Sequence, residues 1–271
     1  MCGLAGFFAR ESVPTYTVLD SLFSWSEKRG VDGFGLYINN RDGTDPTVIR
    51  RTGRYSDPEN KELVQRIVSK TLKIGSLVLA ISRAQPETEP ATKDASRIQP
   101  IMGTFKGSRC VVLHNGAVSN KIYNELKGWV LENNYSYTSN IDSEAILVSY
   151  YKYNKNIKDT MEFLSGGFAA IMYDEKKDML YVINDFKPIA HGYVRGLGFF
   201  LASDNDCLSE IIYNYTGMNR DGVFLWESHY HHYLSGNAIR EIDLQSGFMR
   251  KIKYSPRYII GTRWDSNFND K

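Results

Sequence analysis

Short apolar segments recur along this chain, and they constrain its fold more than any other feature of the sequence. The clearest are Gly3 to Ala9, Gly33 to Asn39 and Ser76 to Arg83, which are typical of buried strands. Apolar residues at helical spacing lie between some of them, before Arg29 and again after Pro58. Because the strands come in runs with helices inserted, rather than in regular alternation, the pattern predicts an α+β domain with largely antiparallel sheets.

The same criteria predict further elements. We expect strands at Thr47 to Thr52, Cys110 to Leu113, Phe168 to Tyr173, Met179 to Asn184 and Phe199 to Ala202, and a strand-like region from Gly222 to Tyr254. We expect helices from about Ser119 to Leu131, Asp142 to Tyr153 and Cys207 to Tyr213. The polar stretch from Ala84 to Gly107 is predicted to be a long functional loop. Without a linker-like break, one domain is expected over residues 1–254, followed by a polar tail over 255–271.

Composition narrows the class of protein. The chain has 271 residues and a formal net charge of +2, with both signs interspersed, so neither nucleic acid nor a membrane is an expected partner. No apolar run approaches the roughly 18 residues of a membrane span, and the N-terminus does not look like a signal peptide. Three cysteines match no disulfide framework or zinc spacing, which favours a cytoplasmic protein.

The cysteine at position two is the first candidate for chemistry. If Met1 is removed, Cys2 carries both a thiol and a free α-amine. A thiolate is a strong nucleophile, and an α-amine with a pKa of about 7.7–8.0 can carry its proton. By its position alone, however, Cys2 is more readily interpreted as an ordinary cysteine near a terminus.

Two segments bring arginine next to unusual backbone or to a strand end. The run from Arg29 to Gly35 contains three glycines, which indicates either unusual backbone conformations or close approach to another segment. The alternative is a helix C-cap and turn with Arg29 paired to Asp32. Arg83 ends an apolar strand, where its guanidinium could bind a carboxylate in bidentate fashion or simply face solvent.

Two polar motifs follow. His114, Asn115 and Gly116 come after an apolar strand, and an Asn amide beside a Gly N–H could supply two donors to an oxyanion. Asn-Gly is also a common turn dipeptide, so a turn is the competing interpretation. Asp142 could hold a substrate ammonium group or cap a helix. The histidines 229, 231 and 232 lie on a strand-like stretch without a companion ligand, so we expect no metal site.

The order of these motifs is more specific than any one of them. An N-terminal Cys-Gly, the glycine-rich Arg29 to Gly35, a strand-end Arg, His-Asn-Gly and Asp-Ser-Glu together resemble the class II glutamine amidotransferase domain. The resemblance extends over roughly residues 2–254 and includes Ile98 to Ile101, Gly166 to Ala169, Asp185 with Pro188, Leu201 to Asp204, Leu234 to Gly236, and Ile242 and Asp243 with Gly247. It implies the N-terminal-nucleophile hydrolase fold, a four-layer αββα sandwich with two largely antiparallel sheets.

The resemblance also implies the chemistry. Cys2 would attack the side-chain carbonyl of L-glutamine to form a γ-glutamyl thioester, with its α-amine as proton carrier. Asn115 and Gly116 would stabilise the oxyanion, and no cofactor would be needed.

Other roles follow by the same resemblance. Arg83 would hold the glutamine α-carboxylate and Asp142 its α-ammonium, while Arg29 and His114 would give structural support. One departure concerns the residues after Arg83, which are Ala84, Gln85 and Pro86 where family members often carry an aromatic residue and a threonine.

The larger enzymes of the family attach a second catalytic domain that uses the ammonia. None is recognised in this sequence, so the resemblance implies a separate ammonia-accepting synthase as partner. Two alternatives stay open. One is a free-standing γ-glutamyl amide hydrolase that uses the same residues on another amide. The other is a catalytically silent scaffold of the same fold.

Overall fold

Two six-stranded sheets organise the part of the chain that the computed structural model describes, which is residues 2–13, 16–85, 94–139, 141–164, 166–185, 187, 189–194, 197–216 and 237–255. The first sheet consists of β1 (Gly3–Ala9), β2 (Gly33–Asn39), β3 (Thr47–Thr52), β4 (Leu77–Arg83), β9 (Ala190–Val194) and β10 (Gly198–Ala202). The second consists of β5 (Ile101–Phe105), β6 (Ser108–Val118), β7 (Gly166–Asp174), β8 (Met179–Asn184), β11 (Ala238–Asp243) and β12 (Met249–Lys253). Their strand orders are β3-β2-β4-β1-β10-β9 and β12-β11-β8-β7-β6-β5, and all neighbouring strands are antiparallel.

Helices cover the outer face of each sheet. The described helices are α1 (Tyr16–Glu27), α2 (Pro58–Thr71), α3 (Asn120–Glu132), α4 (Glu144–Lys152), α5 (Ile157–Phe163) and α6 (Asn205–Thr216). Apolar residues of α1, α2 and α6 share one core with the first sheet, and those of α3, α4 and α5 share another with the second sheet. Among the described helices, none combines the length and hydropathy that crossing a bilayer would need.

A third core lies between the two sheets, which gives four layers. Strand β1 shows the arrangement: Leu4 and Phe8 face the second sheet, whereas Ala5 and Phe7 face the helices. Because both faces of the central strands are buried, they read as continuous apolar runs rather than as alternating patterns. The α+β class and the αββα layering predicted from the sequence are confirmed.

Strand direction defines two ends of the sandwich. The Cys2 end contains the start of β1, the end of β4 at Arg83 and the end of β6 at Val118. The opposite end contains the end of β2 at Asn39 and the end of β7 at Asp174. Of the candidate site residues, Cys2 precedes β1, Arg83 ends β4, and Asn115 lies near the end of β6, to which Asp142 is hydrogen-bonded, so all four lie at the Cys2 end.

Several sequence-based expectations need correction. The stretch Ala84 to Gly107, predicted to be one long loop, contains the strand β5, whose backbone pairs with β6. Strand β6 extends to Val118, so Asn115 and Gly116 lie within a strand and the turn interpretation is wrong. Strand β9 and helix α5 were not expected. The predicted strand-like stretch from Gly222 and the tail over 255–271 fall partly outside the described residues, which omit 217–236 and 256–271.

Candidate active site

Cys2 lies just before β1, the strand between β4 and β10 in the first sheet. Its backbone nitrogen donates to Asn115 Oδ1 at 3.1 Å, and its Sγ lies 3.8 Å from the carbonyl oxygen of Ala84. Cys2 is half-buried, whereas Cys110 and Cys207 are buried. Burial raises the pKa of the Cys110 thiol to about 12 and also raises the pKa of Cys207. Of the three cysteines, Cys2 is therefore the accessible one.

Asn115 reaches Cys2 from the second sheet. Its side chain is 1% exposed, and its Oδ1 is occupied by the Cys2 nitrogen. Its Nδ2 is buried and finds no hydrogen-bond partner among the described residues. An unsatisfied buried donor is costly unless a ligand pairs with it. Asn115 thus presents a free amide donor beside the thiol.

Gly116 continues β6 next to Asn115, opposite Phe168 of β7. Its φ of +145° is one that L side chains rarely adopt, and an added Cβ would lie 2.4 Å from the carbonyl oxygen of Gly167. Both observations require glycine at this position. Glycine at position 116 therefore allows β6 to pair closely with β7 directly after Asn115.

His114 points to the helix-facing side of the second sheet, away from Cys2. Its Nδ1 lies 3.1 Å from Ser143 Oγ and 3.9 Å from Asp142 Oδ1, and its ring packs edge-on against Phe168. Burial lowers the pKa of His114, and the Asp142 carboxylate opposes that effect. His114 therefore links β6 to the start of α4, and the supporting role expected for it stays a prediction.

The backbone of His114 is held by the Gln99 side chain. The Gln99 Nε2 donates to the His114 carbonyl at 2.9 Å, and its Oε1 accepts from the His114 N–H. Strand β5 begins at Ile101, which pairs with Val112, so it does not reach His114. The Gln99 amide makes the two hydrogen bonds there that a neighbouring strand would make. Gln99 belongs to the Ile98 to Ile101 segment of the family resemblance, but no pattern in the sequence indicates this contact.

Arg83 ends β4 and is 8% exposed. Its Nη1 donates to Gln85 Oε1 at 3.2 Å. The Arg83 carbonyl accepts from the Asp32 N–H at 2.9 Å, and Asp32 Oδ2 accepts from the Gln85 N–H at 2.7 Å. A Cβ on Gly30 would lie 2.4 Å from the Arg83 carbonyl carbon. The glycine-rich segment therefore serves close approach, and it secures the backbone that carries Arg83.

Arg29 and Asp32 have separate partners, unlike in the surface-pair alternative. Arg29 Nη1 donates to the Ser203 carbonyl at 3.3 Å, and its Nε is buried without a partner among the described residues. Ser203 in turn binds the backbone of Leu4, with its N–H donating to the Leu4 carbonyl and its Oγ accepting from the Leu4 N–H, both at 2.8 Å. Arg29 thus braces the segment beside the start of β1.

Asp142 lies just before α4, but the helix N-cap is Ser143. The Asp142 Oδ2 accepts from the Val118 N–H at 2.8 Å, which ties it to the end of β6. Its side chain is 33% exposed, so a ligand can reach it. Asp142 is therefore not the N-cap of α4. Its carboxylate instead connects the start of α4 to the end of β6.

Two ionisable residues near the site were not singled out as functional from the sequence. Burial lowers the pKa of Lys187, whose ammonium group also interacts electrostatically with Cys2 and Arg29. Burial raises the pKa of Asp185 to about 7, and its Oδ1 has no partner among the described residues. Both lie in the segment around Asp185 and Pro188 that contributes to the family resemblance.

Within the described residues, no group of three or more His, Cys, Asp or Glu side chains is arranged to hold a metal ion. The histidines 229, 231 and 232 lie outside those residues. In the described part, Cys2, Asn115, Arg83 and Asp142 are all brought to one end of the sandwich. The catalytic and binding roles of these residues stay predictions.

Residues 88–210 match the model of a family described as glutamine amidotransferase domain. That match includes Asn115 and Asp142, whereas Cys2 and Arg83 precede it. A 7-cyano-7-deazaguanine synthase of Sulfolobus acidocaldarius is 34% identical over 188 residues, covering 66% of this chain and 37% of that protein. A glutamine–fructose-6-phosphate aminotransferase (isomerizing) of Clostridium tetani is 25% identical over 291 residues, covering 97% of this chain and 44% of that protein.

The fold also has a solved counterpart. Glutamine phosphoribosylpyrophosphate amidotransferase from B. subtilis, complexed with ADP and GMP, aligns with a TM-score of 0.63 at 18% identity. The alignment covers 94% of this chain and 49% of that one. The chain thus spans less than half the length of the relatives named above. The structural likeness confirms the predicted N-terminal-nucleophile hydrolase fold.

Proposed function

Because this chain carries a class II glutamine amidotransferase domain, we propose that it hydrolyses L-glutamine to glutamate and ammonia with Cys2 as the nucleophile. The observation that carries the proposal is the contact between Cys2 and Asn115. One end of the Asn115 amide binds the Cys2 nitrogen, and the other end is a buried donor without a partner among the described residues. An oxyanion that forms beside the thiol would supply the missing acceptor.

The reaction begins once Met1 has been removed. The Cys2 α-amine takes the thiol proton, and the thiolate attacks the side-chain carbonyl carbon of glutamine. Negative charge develops on the carbonyl oxygen, which Asn115 Nδ2 and the Gly116 backbone N–H stabilise. The carbon–nitrogen bond then breaks as the α-ammonium returns its proton to the leaving nitrogen, so that ammonia and a γ-glutamyl thioester form. Water cleaves the thioester, which yields glutamate and restores the thiol.

Two charged residues select glutamine among amides. Arg83 binds the α-carboxylate, for which the planar guanidinium is suited. In the substrate-free site, the Gln85 side chain contacts Arg83, and the substrate carboxylate would compete for that contact. Asp142 binds the α-ammonium through the oxygen that does not accept from Val118.

The ammonia acceptor is proposed to be a separate synthase. One relative is named a 7-cyano-7-deazaguanine synthase, and this chain covers 37% of it. Glutamine labelled with ¹⁵N in the side-chain amide, supplied with excess unlabelled ammonium, tests this step. With the synthase present, direct passage of ammonia enriches ¹⁵N in its product. Product that carries only the isotope ratio of the bulk ammonium would contradict passage.

Labelling of Cys2 tests the nucleophile directly. We expect intact mass to show loss of Met1, and a glutamine analogue with a diazoketone in place of the amide to add once, at Cys2. The Cys2→Ala variant should take up no label and release no ammonia from glutamine. A Cys207→Ala variant is the matched control, since Cys207 is buried, and it should label like the wild type.

The outcomes separate the alternatives. Processed wild-type protein that neither labels nor releases ammonia would overturn the proposal. Indifference to glutamine together with cleavage of a larger γ-glutamyl amide would instead favour the hydrolase alternative. If the Cys2→Ala variant still performed the role of the protein in its cell, the catalytically silent scaffold would be favoured.

A further inference from the structure

Glu144, the first residue of α4, is a buried carboxylate surrounded by neutral donors. Its side chain is completely buried. The backbone N–H groups of Thr138 and Ser139 donate to it, both at 2.7 Å, as do Ser139 Oγ at 2.7 Å and Tyr135 OH at 3.1 Å. The Thr138 hydroxyl lies 3.1 Å from the carboxylate and 2.8 Å from the Met102 carbonyl. A buried carboxylate needs such bonds, because an unpaired one would carry a large desolvation cost.

The donors all come from the chain segment that leads into Asp142. Both carboxylate oxygens are used: Oε1 binds Tyr135 and Thr138, and Oε2 binds Ser139. The segment is thus wound around the Glu144 side chain just before it reaches Asp142. Because Glu144 is fixed by α4, the path of the segment is fixed relative to that helix.

The same helix start carries Asp142 itself. The Asp142 carbonyl accepts from the Ala145 N–H at 3.0 Å, and the Ile141 carbonyl accepts from the Glu144 N–H at 3.1 Å. The carboxylate of Asp142 then reaches Val118 at the end of β6. Any movement of the segment around Glu144 therefore changes where the Asp142 carboxylate stands relative to β6.

From this geometry we propose that Glu144 is a positioning residue for the ammonium-binding site formed by Asp142. The proposal rests on the proposed function, since it assigns Asp142 to the α-ammonium of glutamine. Glu144 does not touch the substrate. It sets the position of Asp142 by holding the segment from Tyr135 to Ser139.

The principal variant is Glu144→Gln, which keeps the shape of the side chain. Its amide has one acceptor oxygen and one NH₂ group, so an NH₂ would face donors that now point at a carboxylate oxygen. The segment must shift, and the KM for glutamine should rise about 10- to 100-fold, as expected for the loss of a charged contact to the substrate. The kcat should change by less than about threefold, because the Cys2 and Asn115 contact is untouched.

A substrate without the ammonium group separates positioning from general damage. We use 4-carbamoylbutanoate, which is glutamine without its α-amino group. Glu144→Gln should lower kcat/KM for glutamine but leave kcat/KM for this amide within about twofold of the wild type. Alkylation of Cys2 by iodoacetamide should also proceed at the wild-type rate. The exposed Glu132→Gln on α3 is the matched control and should change neither substrate.

Two further variants keep the proposal falsifiable if Glu144→Gln folds poorly. Ser139→Ala removes one donor to the carboxylate, together with the hydroxyl that accepts from the Ile141 N–H at 3.4 Å, and should raise the KM for glutamine by about two- to fivefold, again without effect on the amide. In the double variant with Asp142→Asn, the effect of Glu144→Gln on glutamine should largely disappear, because both changes remove the same contact.

The proposal is overturned if folded Glu144→Gln binds glutamine like the wild type, or if both substrates lose activity equally. It is also overturned if the effects of Glu144→Gln and Asp142→Asn are additive. Failure of the proposed function is distinct, since the wild-type protein itself would then release no ammonia from glutamine.

Discussion

The two ends of the sandwich differ in how completely the polar side chains compared below are hydrogen-bonded. At the opposite end, Glu175 accepts from Tyr37 OH at 2.8 Å, which joins the two sheets. Nearby, Asp178 pairs with Arg41 and accepts from Tyr173 OH at 2.8 Å. None of these five side chains has a buried polar atom left without a partner. This end is a closed network that ties the sheets together.

The Cys2 end leaves buried polar atoms open. Among the described residues, Arg29 Nε, His114 Nε2, Asn115 Nδ2 and Asp185 Oδ1 are all buried and find no hydrogen-bond partner. Each such atom costs free energy, and native proteins seldom keep several together without a reason. The polar side chains named at the opposite end are therefore paired, whereas four buried atoms at the Cys2 end are not, and the proposed function would use the Asn115 amide among them to bind a ligand.

Two buried asparagines test the contrast between the two ends most directly. Asn115 uses its oxygen but not its nitrogen, whereas Asn39 at the opposite end donates to Tyr37 OH at 2.9 Å and accepts from the Arg41 N–H at 2.7 Å. Asn115→Ala should lower kcat for glutamine by about 10²–10³-fold, as the loss of an oxyanion donor does. Its free energy of unfolding should stay within about 1 kcal/mol of the wild type.

The matched Asn39→Ala variant should behave in reverse. It should lose about 1–3 kcal/mol of stability, since two hydrogen bonds disappear, and it should keep its kcat. Steady-state ammonia release and urea unfolding measure the two quantities. If Asn115→Ala were as active as the wild type, or Asn39→Ala lost activity without losing stability, the contrast between the ends would be wrong.

A pH experiment tests whether the open carboxyl at the Cys2 end costs stability. Burial raises the pKa of Asp185 to about 7, while the unfolded chain has its ordinary value near 4. Between about pH 4 and pH 7 the folded state keeps a proton that the unfolded state releases, so this group makes the free energy of unfolding fall as pH rises. Above the folded pKa the loss is complete and the curve levels off.

The Asp185→Asn variant removes that titration. Its free energy of unfolding relative to wild type should be higher at pH 8 than at pH 5, by on the order of 2 kcal/mol for a half-buried group. Urea unfolding at the two pH values measures the gain. Asp45→Asn is the control, because its side chain is 93% exposed, and it should show no such change. An equal effect of Asp185→Asn at both pH values would refute the assignment.

Much of the Cys2 end could be predicted from the sequence, because its strands are buried on both faces and their apolar runs are unbroken. The order of Cys2, Arg83, Asn115 and Asp142 also predicted that they serve one site, and the structure brings them to one end. The wrong prediction concerned local backbone structure. The Asn115 and Gly116 pair favours a turn in isolation, but pairing with β7 overrides that tendency and keeps it in a strand.

Other features depended on distant neighbours. Helix α5 has only seven residues, too few for a clear periodic pattern. The positions of Gln99 and Glu144 follow from contacts made across the fold or around a loop, which single-sequence patterns do not record. Residue types at these positions are common in loops and at helix starts, so no local signal distinguishes them.

Substitution of Gln99 should affect both stability and activity at the Cys2 end, each to a modest extent. Its amide binds both backbone atoms of His114, directly before Asn115. Gln99→Leu should cost about 1–2 kcal/mol of stability and let the strand shift, so that kcat falls about three- to tenfold with little change in KM. Glu144→Gln, in contrast, should raise KM with little change in kcat. The exposed Gln245→Leu at the opposite end is the control, and a Gln99 variant that changes KM instead of kcat would show that the amide does not position Asn115.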